Sequence, residues 1–129
     1  MDTLGLLLHV LVHPASVQDR DGGLVVLSAL AARFPMLQKL FADGAYQGPV
    51  FSQALAKVRP QLTVEISKRS DPAPGFIVLP KRWIVERTIA WLNRCRRLAK
   101  DFENRIRTAT AFVLLASIRL MSRKLCNPS

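Results

Sequence analysis

The sequence predicts a mixed α/β layer fold, and three observations support this prediction. Short aliphatic runs typical of strands alternate with longer stretches of helical periodicity. Prolines interrupt the chain between these stretches, at Pro14, Pro35, Pro49 and Pro60. The 129 residues are half apolar, which suffices for one domain with a core but not for two ordinary ones. The predicted order is strand, helix, strand, helix, strand, helix, helix.

The amino-terminal segment is predicted to form a turn, a strand and a helix. Leu4–Val12 is almost entirely aliphatic and fits a buried strand, although periodicity alone does not exclude a helix. The sequence Asp-Thr-Leu-Gly from Asp2 is typical of a turn between two strands, so we expect the preceding strand to lie outside this chain. Helical periodicity over Leu24–Arg33 predicts a helix that is capped at Asp21 or its neighbour and ends at Pro35.

The middle of the chain is predicted to supply two short strands on either side of a helix. Gln38–Ala42 is the first of these strands and stops at Asp43-Gly44, a strong breaker. Pro49 suits the first position of a helix, which continues over Val50–Val58. Leu62–Ser67 alternates apolar and polar side chains, which predicts a half-buried strand.

Two further helices are predicted after a proline-rich loop at residues 68–80. Over Lys81–Lys100, apolar side chains fall on one arc of a helical wheel, and bases with one acid, Glu86, fall on the other. After a polar connector, Thr108 can cap a last helix over Ala109–Leu125. Since that helix is apolar nearly all round, we expect it to be largely buried.

The net charge of +10 and the isoelectric point near 10.9 favour a polyanionic partner. A membrane surface is the competing polyanion, but no apolar run approaches the roughly 18 residues of a spanning helix. The chain begins with neither a basic leader nor a cleavage site, so a signal peptide is not expected. Cys95 and Cys126 lack metal-binding spacing and are interpreted as reduced thiols in a cytoplasmic protein.

Basic residues crowd the predicted helix over Lys81–Lys100, with a single acid to offset them. Like charges at this density repel one another, whereas a merely solubilising surface mixes both signs. We therefore predict a polyanion-binding face. Its residues are Arg82, Arg87, Arg94, Arg96, Arg97 and Lys100. On the same helix, Trp83 and Trp91 are expected to belong to the core, and stacking of Trp83 on a base is the alternative.

Three carboxylates are candidates for one metal site. Asp43 ends a predicted strand, where open α/β sheets place their ligands, Asp2 precedes another, and Glu86 projects from a helix. Magnesium and manganese prefer such oxygens. Simpler explanations stay open, because Asp43 fits a turn, Glu86 fits an i,i+4 pair with Arg82, and Asp2 fits a solvated position. Asp19 is a helix cap or lies near the metal site, and Tyr46 contacts DNA or packs.

Three blocks, DTLGLLLHVLVHPASVQDRDGG, LFADGAYQG and KRWIVERTIAWLNRCRRLAKDFE, occur in this order. With them the chain resembles bacterial insertion-sequence transposases of the DDE type, in the insertion-sequence-five group, over essentially its whole length. The resemblance implies that residues 1–129 are one ribonuclease H-like catalytic domain, incomplete at its N-terminal strand and without the family's N-terminal DNA-recognition region.

The same resemblance implies a mechanism and partners. DNA transposition would proceed by metal-dependent phosphodiester cleavage and strand transfer at insertion-sequence ends. Asp2, Asp43 and Glu86 would be the first, second and third acids that hold two Mg²⁺ or Mn²⁺ ions, and the basic face would hold double-stranded DNA. An upstream-frame transposase part, a homo-oligomer and a location at the nucleoid are further expectations. The alternative is a truncated, non-catalytic DNA-binding fragment or an inhibitor of transposition.

Overall fold

The computed structural model describes residues 1–67 and 81–127, and the chain divides into two compact units. The first unit consists of Met1–His13 and Arg82–Ser129, and the second consists of Pro14–Lys81. The predicted loop at residues 68–80 lies outside the described residues. The described elements confirm a mixed α/β chain and are α1 (Asp19–Arg33), β1 (Lys39–Asp43), α2 (Pro49–Val58), β2 (Thr63–Ser67), α3 (Arg82–Asn93) and α4 (Ile106–Cys126).

The second unit is organised around a parallel pair of strands. β1 pairs with β2 in a register that runs from Lys39 opposite Thr63 to Asp43 opposite Ser67. Parallel neighbours need a crossover connection, and α2 supplies it between the two strands. The predictions of β1, α2 and β2 are therefore confirmed to within one or two residues. Because the strands are parallel, Asp43 and Ser67 lie side by side at the same edge of the sheet.

Helix α1 packs on α2 and starts earlier than the sequence indicates. Leu27 and Leu30 of α1 are buried, as are Phe51 and Leu55 of α2. α1 begins at Asp19, so the predicted start near Leu24 is wrong. Two glycines, at positions 22 and 23, lie inside the helix, where each costs up to about 1 kcal/mol relative to alanine. Gly22 is buried, and Gly23 lies against the ring of Tyr46.

Arg59 links the end of α2 to the end of α1 in the second unit. Arg59 follows α2, and its guanidinium donates hydrogen bonds to four main-chain carbonyls around the end of α1. The acceptors are the oxygens of Ala31 at 3.5 Å, Phe34 at 3.3 Å, Pro35 at 3.3 Å and Leu37 at 2.9 Å. The last carbonyls of a helix have no intrahelical partner, so a cation there satisfies them and interacts favourably with the helix dipole.

The first unit begins with a tight turn rather than a strand. The Gly5 N–H bonds to the Asp2 carbonyl at 3.1 Å, the Asp2 N–H bonds to the Leu6 carbonyl at 2.9 Å, and Gly5 has a φ of +83°. This pattern is that of a three-residue hairpin loop, so the predicted turn is confirmed. The predicted strand over Leu4–Val12 is wrong, because the described part of the first unit contains no second strand to pair with it.

Helices α3 and α4 both depart from their predicted bounds. α3 ends at Asn93 rather than Lys100, and a 3-10 turn at Arg96–Leu98 follows it. Four bases within seven residues repel one another at helical i,i+3 and i,i+4 spacing, which disfavours a longer helix. α4 begins at Ile106, ahead of the predicted cap at Thr108. Cys95 and Cys126 are both free thiols.

The prediction that α4 is largely buried is wrong. Only Ala116 and Ser117 are buried in this helix, whereas Leu115 and Ile118 are 60% and 53% exposed. Among the described residues, α4 packs on α3 and on the 3-10 turn, and these elements cover one side of it. No helix in the ranges 1–67 and 81–127 combines the length and hydropathy needed to cross a membrane.

We predict that Arg59→Ala lowers the free energy of unfolding by about 2 kcal/mol, because it leaves several partly buried carbonyls unpaired. Urea denaturation followed by circular dichroism measures this change. Lys57→Ala, on the exposed side of α2, removes the same charge without such contacts and should change stability by less than about 0.5 kcal/mol. Equal effects of the two substitutions would contradict the assigned role of Arg59.

Candidate functional site

Asp43 is the candidate acid of the second unit and lies where a strand passes into a turn. It is the last residue of β1 and the cap of a 3-10 turn at Gly44–Tyr46. Its Oδ1 atom accepts a hydrogen bond from the Ala45 N–H at 3.0 Å. Its side chain is exposed, and no hydrogen bond from another described residue reaches Oδ2. The turn interpretation of Asp43 is therefore confirmed, and one oxygen atom remains available for a ligand.

Asp2 and Glu86 are the candidate acids of the first unit. Asp2 Oδ1 accepts hydrogen bonds from the N–H groups of Leu4 at 2.9 Å and Leu6 at 2.8 Å. Glu86 Oε1 lies 2.9 Å from Arg82 Nε, in the i,i+4 pair that the spacing indicates. That pair is more than half exposed, so it contributes only tenths of a kcal/mol to stability. In both acids the second oxygen atom has no hydrogen-bond donor among the described residues.

In the first unit, the turn that follows Asp2 packs on α3 close to Glu86 in sequence. It contacts Thr88, which is 1% exposed and whose hydroxyl donates to the Gly5 carbonyl at 2.9 Å. Glu86 precedes Thr88 by two residues and therefore points about 200° away around the helix. Within residues 1–67 and 81–127, no three His, Cys, Asp or Glu side chains form a group that could hold a metal ion.

Tyr46 lies between the two helices of the second unit. A Cβ atom added at Gly23 of α1 would lie 2.7 Å from Tyr46 Cε1, so the ring rests against the glycine backbone. The ring also meets Phe51 of α2 edge to face, with centroids 5.4 Å apart. Burial raises the pKa of Tyr46, and the negative charges of Asp19 and Asp43 raise it further. The sequence did not reveal this grouping, although the adjacent glycines of α1 are a signal for a close neighbour.

The six bases of the predicted polyanion-binding face have different surroundings. Arg87 lies between two indole rings, with its guanidinium carbon 4.5 Å from the Trp83 centroid and 4.8 Å from the Trp91 centroid. It donates to the Leu4 carbonyl at 3.3 Å, while its buried Nε has no described partner. Trp83 is 48% exposed, so its predicted place in the core is wrong.

The remaining bases of this face are exposed to solvent. Arg97 Nη2 lies 3.2 Å from Glu103 Oε1, at ion-pair distance but without the alignment of a hydrogen bond. Arg94, Arg96 and Lys100 are exposed, and no described carboxylate pairs with them. These three residues are therefore available to an external anion.

The comparisons with known proteins give one match. A family model described as the transposase DDE domain matches residues 1–121. No curated protein and no solved structure matches the chain significantly. The matched residues include the turn at Asp2, the strand that ends at Asp43 and the helix that carries Glu86.

Tyr46 is the only tyrosine of the chain, so phenolate absorbance near 295 nm reports it alone. We predict half-ionisation above about pH 10, the usual value, because burial and two carboxylates disfavour the anion. Asp43→Asn and Asp19→Asn should each lower the midpoint, since each removes a negative charge. Asp21→Asn is the matched control and should leave the midpoint in place. A midpoint that Asp19→Asn and Asp43→Asn leave unchanged would contradict this arrangement.

Proposed function

The chain belongs to the transposase DDE domain family, and we propose that within DNA transposition it cleaves phosphodiester bonds and joins strands at insertion-sequence ends. The match over residues 1–121 carries this proposal, because it includes all three candidate acids. The mixed α/β fold is compatible with a ribonuclease H-like domain of the insertion-sequence-five group, which we propose as the finer assignment.

Asp2, Asp43 and Glu86 are the proposed ligands of two Mg²⁺ or Mn²⁺ ions. Their chemistry fits such ions, because hard cations prefer carboxylate oxygens and each acid keeps one oxygen atom free of described donors. A bound metal pair would stabilise the attacking and leaving oxygens at phosphorus. Main-chain N–H groups hold the other oxygen atom of Asp2 and of Asp43, which limits the rotation of these two carboxylates.

Joint binding by Asp2 and Glu86 makes a specific demand on the first unit. The Thr88 contact holds the turn that follows Asp2 on α3, and in the described residues no three potential ligands form a group that could hold a metal ion. The proposal therefore requires the carboxylates to approach one another when metal binds. Glu86 can leave its pair with Arg82 at little energetic cost, because that exposed pair is weak.

The exposed bases that follow α3 are proposed to hold the DNA backbone. Arg94, Arg96, Arg97 and Lys100 present positive charge to solvent, and phosphate contacts of this kind position a duplex without reading its sequence. Arg82 joins them once Glu86 binds a cation. Arg87 makes the smallest contribution of the six, because its guanidinium is held between Trp83 and Trp91.

We predict that Glu86→Gln and Asp43→Asn each lower Mn²⁺-dependent nicking of an end-containing duplex by more than about 100-fold. That loss exceeds the effect expected of a residue that only orients a metal ligand. DNA affinity measured in EDTA should be retained in both variants. Glu103→Gln is the control, since Glu103 is an acid of the first unit outside the proposed set. Equal nicking by wild type and Glu86→Gln would refute the assignment.

We predict that Arg94→Ala weakens DNA binding and reduces the slope of log affinity against log salt by about 0.9, the value for one lost phosphate contact. Fluorescence anisotropy over a salt series measures this slope. Arg87→Ala is the comparison: it should lower the unfolding midpoint, because the Leu4 carbonyl and two indole rings lose their partner, with a smaller change in slope. If Arg87→Ala reduced the slope and Arg94→Ala lowered the unfolding midpoint, the phosphate contact would belong to Arg87 and the structural role to Arg94.

A further inference from the structure

One face of β1 carries an aromatic ring on the same side of the sheet as Asp43. Alternate side chains of a strand point to the same face, so Lys39, Phe41 and Asp43 lie on one side of β1. In the parallel register Phe41 lies opposite Glu65, and Asp43 lies opposite Ser67. None of these five residues is buried. This face of the second unit is therefore open to a ligand along the strand that ends at Asp43.

Two ammonium groups of the second unit lie at the Phe41 ring. Lys81 Nζ is 3.6 Å from the ring centroid, and Lys39 Nζ is 5.2 Å from it. An aromatic ring attracts a cation through its quadrupole, by about 0.5–1 kcal/mol at an exposed site. The ring therefore holds positive charge on the face that Asp43 shares.

Only one of these two charges has a carboxylate partner among the described residues. Lys39 Nζ pairs with Glu65 Oε2 at 2.5 Å. No carboxylate of the described ranges lies within ion-pair distance of Lys81, and no described acceptor takes a hydrogen bond from its ammonium group. The ring thus fixes the position of an ammonium group whose N–H donors are unused.

The backbone of Lys81 is also held in a conformation that residues other than glycine rarely adopt. Its φ is +66°, in the left-handed region, which costs about 1–2 kcal/mol because Cβ approaches the next carbonyl oxygen. Strained residues of this kind concentrate at ligand-binding positions, where the surrounding structure maintains them. A lysine that served only solubility would require neither this strain nor an aromatic contact.

We infer that the Lys81 ammonium group, held over Phe41, binds a phosphate of the DNA backbone on the face of the second unit that ends at Asp43. Lysine acts on phosphate as a compact point charge. Phe41 precedes Asp43 by two residues, about 7 Å along the strand, so a phosphate bound there lies beside a proposed metal ligand. The contact positions a DNA strand without reading its sequence. This inference rests on the proposed function, because it takes DNA as the ligand.

The experiment measures affinity of the full chain for the end-containing duplex by fluorescence anisotropy over a salt series in EDTA, with urea unfolding in parallel. Lys81→Ala should weaken binding and reduce the slope of log affinity against log salt by about 0.9, the value for one phosphate contact. Lys57→Ala is the matched control, an exposed lysine of the same unit with no aromatic contact, and should keep the wild-type slope. Phe41→Leu should weaken binding although it retains every charge, because the ammonium group is no longer held in place.

The outcomes separate this inference from the proposed function. If Lys81→Ala keeps the wild-type slope while Arg94→Ala reduces it, the role of Lys81 is overturned and DNA binding by the first unit stands. Equal losses in Lys81→Ala and Lys57→Ala, or wild-type affinity in Phe41→Leu, would also overturn it. A reduced slope in Lys81→Ala together with undiminished nicking by Glu86→Gln would refute the metal assignment and leave the Lys81 contact in place.

Discussion

In both units, side-chain donors bind main-chain carbonyls that have no partner in secondary structure. The packing of each unit depends on these hydrogen bonds. Arg59 gathers four such carbonyls in the second unit. In the first, Lys124 and Arg87 both donate to the Leu4 carbonyl, and Thr88 donates to that of Gly5. The chain has 19 basic residues and only 9 acids, so there are too few carboxylates to pair with every cation. Some of its positive charge is therefore structural.

Because some cations are bonded within the fold and others face solvent, a basic sequence cannot be interpreted from its charge alone. Arg87 and Arg94 occur in the same crowded stretch, but only the structure separates a cation held by Trp83, Trp91 and a carbonyl from one that faces solvent. The density of arginine in the sequence predicts a polyanion-binding face of six bases, and the structure shows that one of them, Arg87, is held within the fold. Any binding energy from phosphate contacts would come from the exposed bases, because a cation already bonded within the fold must first lose those bonds.

The parts of the fold that the sequence predicts best are those with local signals. Pro49 at the start of α2 and the Asp43-Gly44 breaker after β1 fix their elements through backbone geometry that requires no distant contact. The departures depend on contacts between distant residues. α1 extends through Gly23, where the Tyr46 ring packs, and the segment after Gly5 is no strand because the described part of the first unit offers it no strand to pair with.

The candidate acids show that local sequence signals also leave the chemical role of a residue open. Spacing gives Glu86 two interpretations, an ion pair with Arg82 or a metal ligand; the structure shows the pair, and the metal role is a proposal. An exposed pair of this kind is worth about 0–1 kcal/mol, so a divalent cation can displace Arg82 from Glu86 at little cost. The displaced guanidinium would then have no carboxylate of its own, and a DNA phosphate would be an anion with which it could pair. Metal binding and DNA binding would thus favour each other through one arginine.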